Sequence, residues 1–455
     1  MSGYVSSSSD NTAERFLKNL AAAIQIPTVS HEGLETDHRQ QLLAFHQYLG
    51  DTYPLIHERC QIETINELSL LITWQGSDSE LDPIVLMAHQ DVVPIEPGTE
   101  TDWPVEPFSG EISEEYLWGR GALDDKGPLI AILEAVEGLL EAGHAPVRTV
   151  LIVSGHDEEL GGREGAKHVA ETLREREVTP WFVVDEGGAV ADEIPKLSAE
   201  PVALVRTAEK GHVNLKLTAR GGGGHSSAPR RPTTVGKLAI ALKALEDHPM
   251  RARVKMVEPT FQALMPRLGA PLRLLFSNLR FTGPLVAKIL ARNPFTDAWI
   301  RTTTAITIIS GGVKSNVIPQ EATATVNFRI LPGDTVQSVM AHVRRVVGRD
   351  IEIEISADHY EEPSPVSSIK SEAWQTLTLT ITETFPEALV APWTLIAATD
   401  SRYFSDIAGD IYGFSPFTIS FDDAERFHGT GERVRVGDAG RAVGFFRSLI
   451  ENATS

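Results

Sequence analysis

Apolar residues recur at helical spacing in Phe16, Leu20, Ala23 and Ile24, so residues 11 to 53 read as helix, broken near Pro27. Leu68 to Trp74 and Ile84 to Ala88 then have strand character, as do the buried-strand candidates Thr149 to Ser154 and Trp181 to Val184. Amphipathic helices are predicted at Pro128 to Ala142 and at Gly162 to Arg176, the second between the last two strands. Alternation of this kind predicts a sheet with parallel pairs and helices on both faces, whose ligands collect at the carboxyl ends of strands.

The pattern changes near Glu209. His212 to Ala219 alternates as a half-buried strand, the glycine run 221 to 224 follows, and Thr234 to Glu246 reads as a helix. Strands are predicted at Thr303 to Ser310, Ala322 to Arg329 and Ile351 to Ser356, with a helix at Val336 to Val347. That outlines a small α+β sandwich inserted into an α/β domain: residues 1–208 and 359–455 form the large domain, 209–358 the insert. From Pro363 the first pattern resumes and closes with a helix at Gly437 to Asn452. The stretch Met256 to Trp299 is helix-prone, rich in Leu, Phe and Pro, and nearly free of acid. It reads either as an extra packing layer or interface, or as an apolar wall for a greasy substrate.

A chain of 455 residues exceeds the ~250–300 at which a single core usually splits, in keeping with two domains. Its net charge of −21 argues against a nucleic-acid partner. The single cysteine, Cys60, excludes an intrachain disulfide and a Cys-rich metal site. No signal peptide is read in MSGYVSSSSD and no stretch suggests a membrane span, so cytoplasmic residence is expected by default.

With cysteine excluded, any metal must be held by histidine and carboxylate, and five short segments offer these in series. They are His89-Gln90-Asp91, the run GRGALDDK from Gly119 to Lys126, Asp157-Glu158-Glu159, Asp185-Glu186, and His428 in ERFHGTGER. Borderline-soft divalent ions take these donor types, and a catalytic site must keep a position open for water. Positions i and i+2 of an extended strand end share a side, so Asp91 can accept the other ring N–H of His89 and hold its tautomer. Asp124 and Asp125 sit among glycines; a carboxylate bridging two cations would offset their repulsion, and one of these is the best bridge candidate. Glu158 and Glu159 diverge, so one can bind metal while the other acts as general base. Counting Asp124, Glu159 and Asp185 as ligands, two divalent ions plus one hydroxide reach neutrality. Gly429 and Gly431 are expected to leave backbone N–H groups accessible to an anion.

The order HxD, GRGxxDxKG, DEExGG, a strand-end Asp and a late His resembles the co-catalytic zinc family of acetylornithine deacetylase, succinyl-diaminopimelate desuccinylase, aminoacylase and glutamate carboxypeptidase. The resemblance spans about residues 14 to 450 and implies a mixed-sheet zinc-peptidase catalytic domain with an inserted lid and dimerisation domain. It implies two Zn2+ per subunit, with Co2+ or Mn2+ as alternatives, held by His89, Asp124, Glu159, Asp185 and His428, with Asp124 bridging through a commonly cis Asp124–Asp125 peptide. It implies Glu158 as base and Asp91 as the orienter of His89. GGGGHSSAP resembles the family's lid motif, whose histidine, here His225, reaches a partner subunit's active site in a homodimer. Asn316 and Arg329 align with substrate-binding residues, the arginine commonly at a carboxylate. DEGG at 185–188, TDSRYF at 399–404 (which holds Arg402) and the His428 motif, with Gly429, are most similar to the Gly-X carboxypeptidase and N-fatty-acyl-amino-acid hydrolase branch.

The expected activity is hydrolysis of an amide bond beside an amino acid with a free α-carboxylate, in a small peptide or an N-acyl amino acid. A catalytically silent scaffold of the same fold is the alternative, disfavoured by the intact Glu158. A metal-dependent phosphoesterase is disfavoured by the acidic chain and the lack of clustered Arg and Lys near the ligands.

Overall fold

The computed structural model describes residues 6–31, 36–195, 197–356, 360–420 and 422–454. Its centre is a ten-stranded mixed sheet. From one edge the order is Gln61–Ile65, Ser69–Trp74, Val150–Ser154, Ile84–Met87, Phe182–Asp185, Asp410–Gly413, Val202–Glu209, Ala189–Ala191 and Thr418–Ile419, with Leu389–Leu395 also parallel to Val202–Glu209. The middle strands Val150–Ser154, Ile84–Met87 and Phe182–Asp185 run parallel and are wholly buried, which is why they read as continuous apolar runs without alternation. All three end on one side of the sheet, and each is followed by an acidic or histidine-bearing turn.

Helices cover both faces, as predicted. Ser6–Ile24, Lys126–Glu141, Glu372–Thr384 and Ala439–Ala453 pack on one face through Phe16, Leu20, Leu129, Val136, Leu377 and Phe445. Ala166–Glu175 covers the other through Val169 and Leu173. This last helix starts later than the sequence pattern suggests. Gly161 and Gly162 have φ of 100° and 64°, which breaks the chain before the helix can begin.

A separate antiparallel sheet has the order Thr303–Gly311, Glu321–Ile330, Gly211–Arg220, Ile351–Ile355. Alternate residues of its central strands, such as Val213, Leu215, Leu217, Val326 and Phe328, meet the helices Thr234–Asp247 and Val336–Val347 in their own core. The second helix begins with a capping box between Thr335 and Ser338 and spans the residues predicted for it. The chain passes from the large sheet to the small one at Lys210, which is buried. It returns beside its point of departure: His212 bridges Glu361, and Ser364 N–H donates to Glu209 O at 3.2 Å.

The 256–299 stretch departs from the expected insert. Phe261, Leu264, Leu268, Phe276, Val286 and Leu290 do not join the small domain's core. They pack with Val202 and Ala391 on two strands of the large sheet. Their inward half is therefore a packing layer of the large domain. No helix among the described residues is long and apolar enough to cross a membrane.

Candidate metal centre

Five turns converge at the carboxyl ends of the parallel strands. His89 follows Ile84–Met87, with its Nε2 2.9 Å from Asp124 Oδ1. The other Asp124 oxygen lies 3.1 Å from His428 Nε2, so this one carboxylate stands between the two imidazoles. Glu159 Oε2 lies 3.2 Å from the same His428 nitrogen. Three sets of donor atoms lie within 4.8 Å of one another: His89, Glu158 and Glu159; His89, Asp124 and Glu186; Asp124, Glu159 and His428. The Asp124–Asp125 peptide is cis.

The donors fit divalent cations. They are imidazole nitrogens and carboxylate oxygens without sulfur, packed more closely than mutually repelling acids would sit for structural reasons alone. Glu159 Oε1 and Asp125 Oδ1 are also buried without a hydrogen-bond partner among the described residues. Burial opposes charge on Asp124, but the hydrogen bonds from His428 and His89 outweigh it and hold its carboxyl well below the usual range. Glu158 is the opposite case: burial pushes its carboxyl well up, and the negative charges of Asp400, Glu159 and Asp124 add to the effect.

Asp185 and Glu186, at the end of one strand, face different neighbours. Asp185 ends its strand with Oδ2 2.8 Å from the Thr399 hydroxyl and accepting from Ser401 N–H at 3.1 Å; the Arg206 guanidinium lies 3.6 Å away. Consecutive residues of an extended chain point to opposite sides, so Glu186 is the acid that turns toward His89, at 3.8 Å. Arg206 ties this support together. It pairs with Glu209, and donates to Ser401 Oγ at 2.9 Å and to Glu186 O at 2.9 Å.

Asp91 does more than face His89. The His89 Nδ1 lies 2.9 Å from the Asp91 backbone oxygen and 3.4 Å from Oδ1. The Asp91 carboxylate accepts from Glu158 N–H and Glu159 N–H at 3.1 and 3.2 Å, and from Ser30 Oγ at 2.7 Å. It thus sets the turn that carries both glutamates. Glu432, absent from the expected site, has a similar part. Its buried carboxylate accepts from Arg120 Nη1 at 2.6 Å, and from the N–H groups of Gly121, Leu123 and Asp124 at 3.1, 2.8 and 3.0 Å. The signal was present in ERFHGTGER, where an acid follows the histidine by four residues on the same turn.

The expected substrate contacts divide. Gly429 N–H donates to Arg426 O at 3.0 Å, so it is not free for an anion, which corrects that expectation. Arg402 is also engaged, with Glu361 at 2.9 Å and with Gly161 O at 2.6 Å. Arg329 lies on the small sheet within electrostatic reach of Glu361 and Arg402, and forms no salt bridge among the described residues. His225 and Asn316 come together at the exposed tip of the small domain. His225 pairs with Val317, its Nδ1 lies 2.7 Å from Ser227 Oγ, and Ser226 N–H donates to Asn316 O at 3.1 Å.

Known proteins match this chain over most of its length. The model of peptidase family M20/M25/M40 matches residues 85–452. A probable carboxypeptidase S-like protein of Dictyostelium discoideum is 40% identical over 441 residues, covering 96% of this chain and 84% of its own length. The N-fatty-acyl-amino acid synthase/hydrolase of Homo sapiens is 41% identical over 441 residues, covering 95% and 87%. Among solved structures, an M20 family metallo-carboxypeptidase from Sulfolobus solfataricus superposes with a TM-score of 0.67 at 18% identity, over 96% of this chain and 98% of that one. Human carnosine dipeptidase 1 gives 0.65 at 15%, over 98% and 97%. With the histidine and carboxylate turns gathered at one sheet edge, these matches establish that the chain belongs to peptidase family M20/M25/M40 and is a metal-dependent amide hydrolase.

Proposed function

We propose that the protein hydrolyses the amide bond of N-acyl amino acids or small peptides whose amine-side residue has a free α-carboxylate. The observation that carries this reading is Asp124, one carboxylate set between His89 and His428, with Glu158 beside them. His89, Asp124, Glu159, His428 and an acid of the Asp185–Glu186 pair would hold two divalent cations, zinc in the first instance. When bound, such ions lower the pKa of water and polarise a carbonyl.

The chain's own residues supply the rest. Glu158, its carboxyl raised by burial, takes the proton from the attacking water and delivers it to the amide nitrogen as the C–N bond breaks. Asp91 orients His89 and the Glu158–Glu159 turn. Arg329, a cation without an ion pair among the described residues, suits the substrate carboxylate. The homodimer reading rests on exposed apolar surface of the small domain. On its edge strand Ile308 and Ile309 are exposed, and Ile240 and Val313 lie exposed on the same domain. Through that face His225 would reach the other subunit's centre.

The deciding experiment is a hydrolysis panel of dipeptides, N-acyl amino acids of different chain length and their α-amides, run after chelation and after zinc is restored. Zinc-dependent release of the amino acid, lost on amidating the carboxylate, is the expected result. Turnover of phosphate esters, or none of any amide with metal bound, would overturn the reading. Glu158→Gln is expected to keep its metal and lose about 10²–10⁴-fold or more in kcat; loss of the metal would exchange the roles of Glu158 and Glu159.

A further inference from the structure

A helix on a globular surface normally turns its large apolar side chains inward. Leu279–Leu290 does so with Val286 and Leu290, which are buried, and with Leu279, which packs partly buried against the same core. On its other side Phe281 is 77% exposed, Leu285 54% and Ile289 41%. Their spacing of four puts them on one stripe, and Lys288 and Arg292 fall on the same side. The neighbouring helix Ala270–Phe276 adds Leu274, which is 76% exposed.

Charge sets this face apart as clearly as hydrophobicity does. Residues 251–292 hold eight Lys and Arg and a single acid, Glu258, in a chain with 41 basic and 62 acidic residues. Arg253 and Arg267 are paired, with Asp334 and Glu200. Arg251, Lys255, Arg280, Lys288 and Arg292 form no salt bridge among the described residues. Arg251, Lys255 and Arg280 also line a cleft beside Met256, Leu279 and Pro284.

We propose that this face docks on the anionic surface of a lipid bilayer. Leu274, Phe281, Leu285 and Ile289 enter the boundary of the acyl chains, while Arg280, Lys288 and Arg292 stay at the level of the phosphates. The complement of apolar groups ringed by unpaired cations is an apolar layer beneath negative charge, which an anionic leaflet presents. A second copy of this face fits poorly, because it would set the same cations against one another. The remainder of the molecule is strongly acidic, so the membrane repels every other orientation and the contact is directional. The proposal does not depend on the hydrolase reading, and its test does not use catalysis.

The test is cosedimentation of the full chain with vesicles of phosphatidylcholine alone and of phosphatidylcholine with phosphatidylserine. Binding is expected only to the second, weaker at high salt. The pairs Phe281→Asp with Leu285→Asp, and Lys288→Glu with Arg292→Glu, should each weaken it by at least about tenfold. Each variant should keep the wild-type circular dichroism, melting temperature and oligomeric state; the charge pair, wholly on the surface, serves if the apolar pair misfolds. Equal binding to both vesicle types, no binding, unaffected variants, or variants that change only the oligomeric state in ultracentrifugation would overturn the proposal.

Discussion

Asp185 and Glu186 leave the end of one strand on opposite sides and meet different neighbours, Thr399 and Ser401 for the first, His89 for the second. Glu186→Gln is expected to lower metal affinity by more than the about 10–100-fold typical of a group that only supports a ligand, with metal content read by mass spectrometry. Asp185→Asn should keep its metal and lower the melting temperature, because it disturbs the Thr399, Ser401 and Arg206 network. The reverse pattern would return Asp185 to the ligand set. At Glu432, alanine would strand a buried guanidinium and three backbone N–H groups. Denaturant titration should show a loss of roughly 3–5 kcal/mol, with the glutamine variant in between. At this scale the sequence showed donor type and order. It could not show direction, since adjacent acids differ only in which side of the backbone they take. The hydrogen-bonded state of Gly429 N–H and Arg402 was hidden for the same reason: both are settled by partners far off in sequence, or by the local turn.

Elements were legible where their period was strong. The helix Val336–Val347 and the three middle parallel strands of the large sheet fall on or close to their predicted positions, because capping and buried apolar runs are local signals. The edge strand Gln61–Ile65 was not foreseen, since its side chains are mostly half-exposed or exposed and no clear apolar face marks it. The 256–299 stretch was recognised as unusual, yet its partner could not be read. Its inward residues meet strands Val202–Glu209 and Leu389–Leu395, whose joining is a fact of topology. The Gly161-Gly162 turn has a reason that packing alone reveals. A Cβ on Gly162 would meet Asp400 Oδ1 at 1.8 Å, at a φ of +64°. Asp400 is itself buried, with neither oxygen hydrogen-bonded among the described residues. Gly162→Ala is therefore expected to cost at least about 1–3 kcal/mol in chemical denaturation and to cut kcat through displacement of the Glu158–Glu159 turn. Wild-type stability in that variant would show that the turn has room to move.

For the whole molecule, the separate antiparallel sheet with its two covering helices was legible from the change of period near Glu209. If His225 serves the neighbouring subunit, neither His225→Ala nor Glu158→Gln homodimers turn over. Mixed subunits should regain up to about a quarter of wild-type activity, because half the dimers are hybrids and one site in each holds both groups. No regain after verified exchange would remove the shared site.

The junction at Lys210 has a consequence for the order of assembly. The insert leaves and re-enters the large sheet at neighbouring points, His212 beside Glu361 and Glu209 beside Ser364. The strand Phe182–Asp185 meanwhile waits for Asp410–Gly413, and the helix Ser6–Ile24 for Ala439–Ala453. On a ribosome the insert can therefore close on itself while the sheet that carries the candidate metal donors is still incomplete. His428, the last of the candidate donors, emerges just before the helix Ala439–Ala453 that packs on Ser6–Ile24. If His428 is a ligand, ion capture belongs to the end of synthesis, and a half-made chain exposes its acids without the histidine that would let them share a cation.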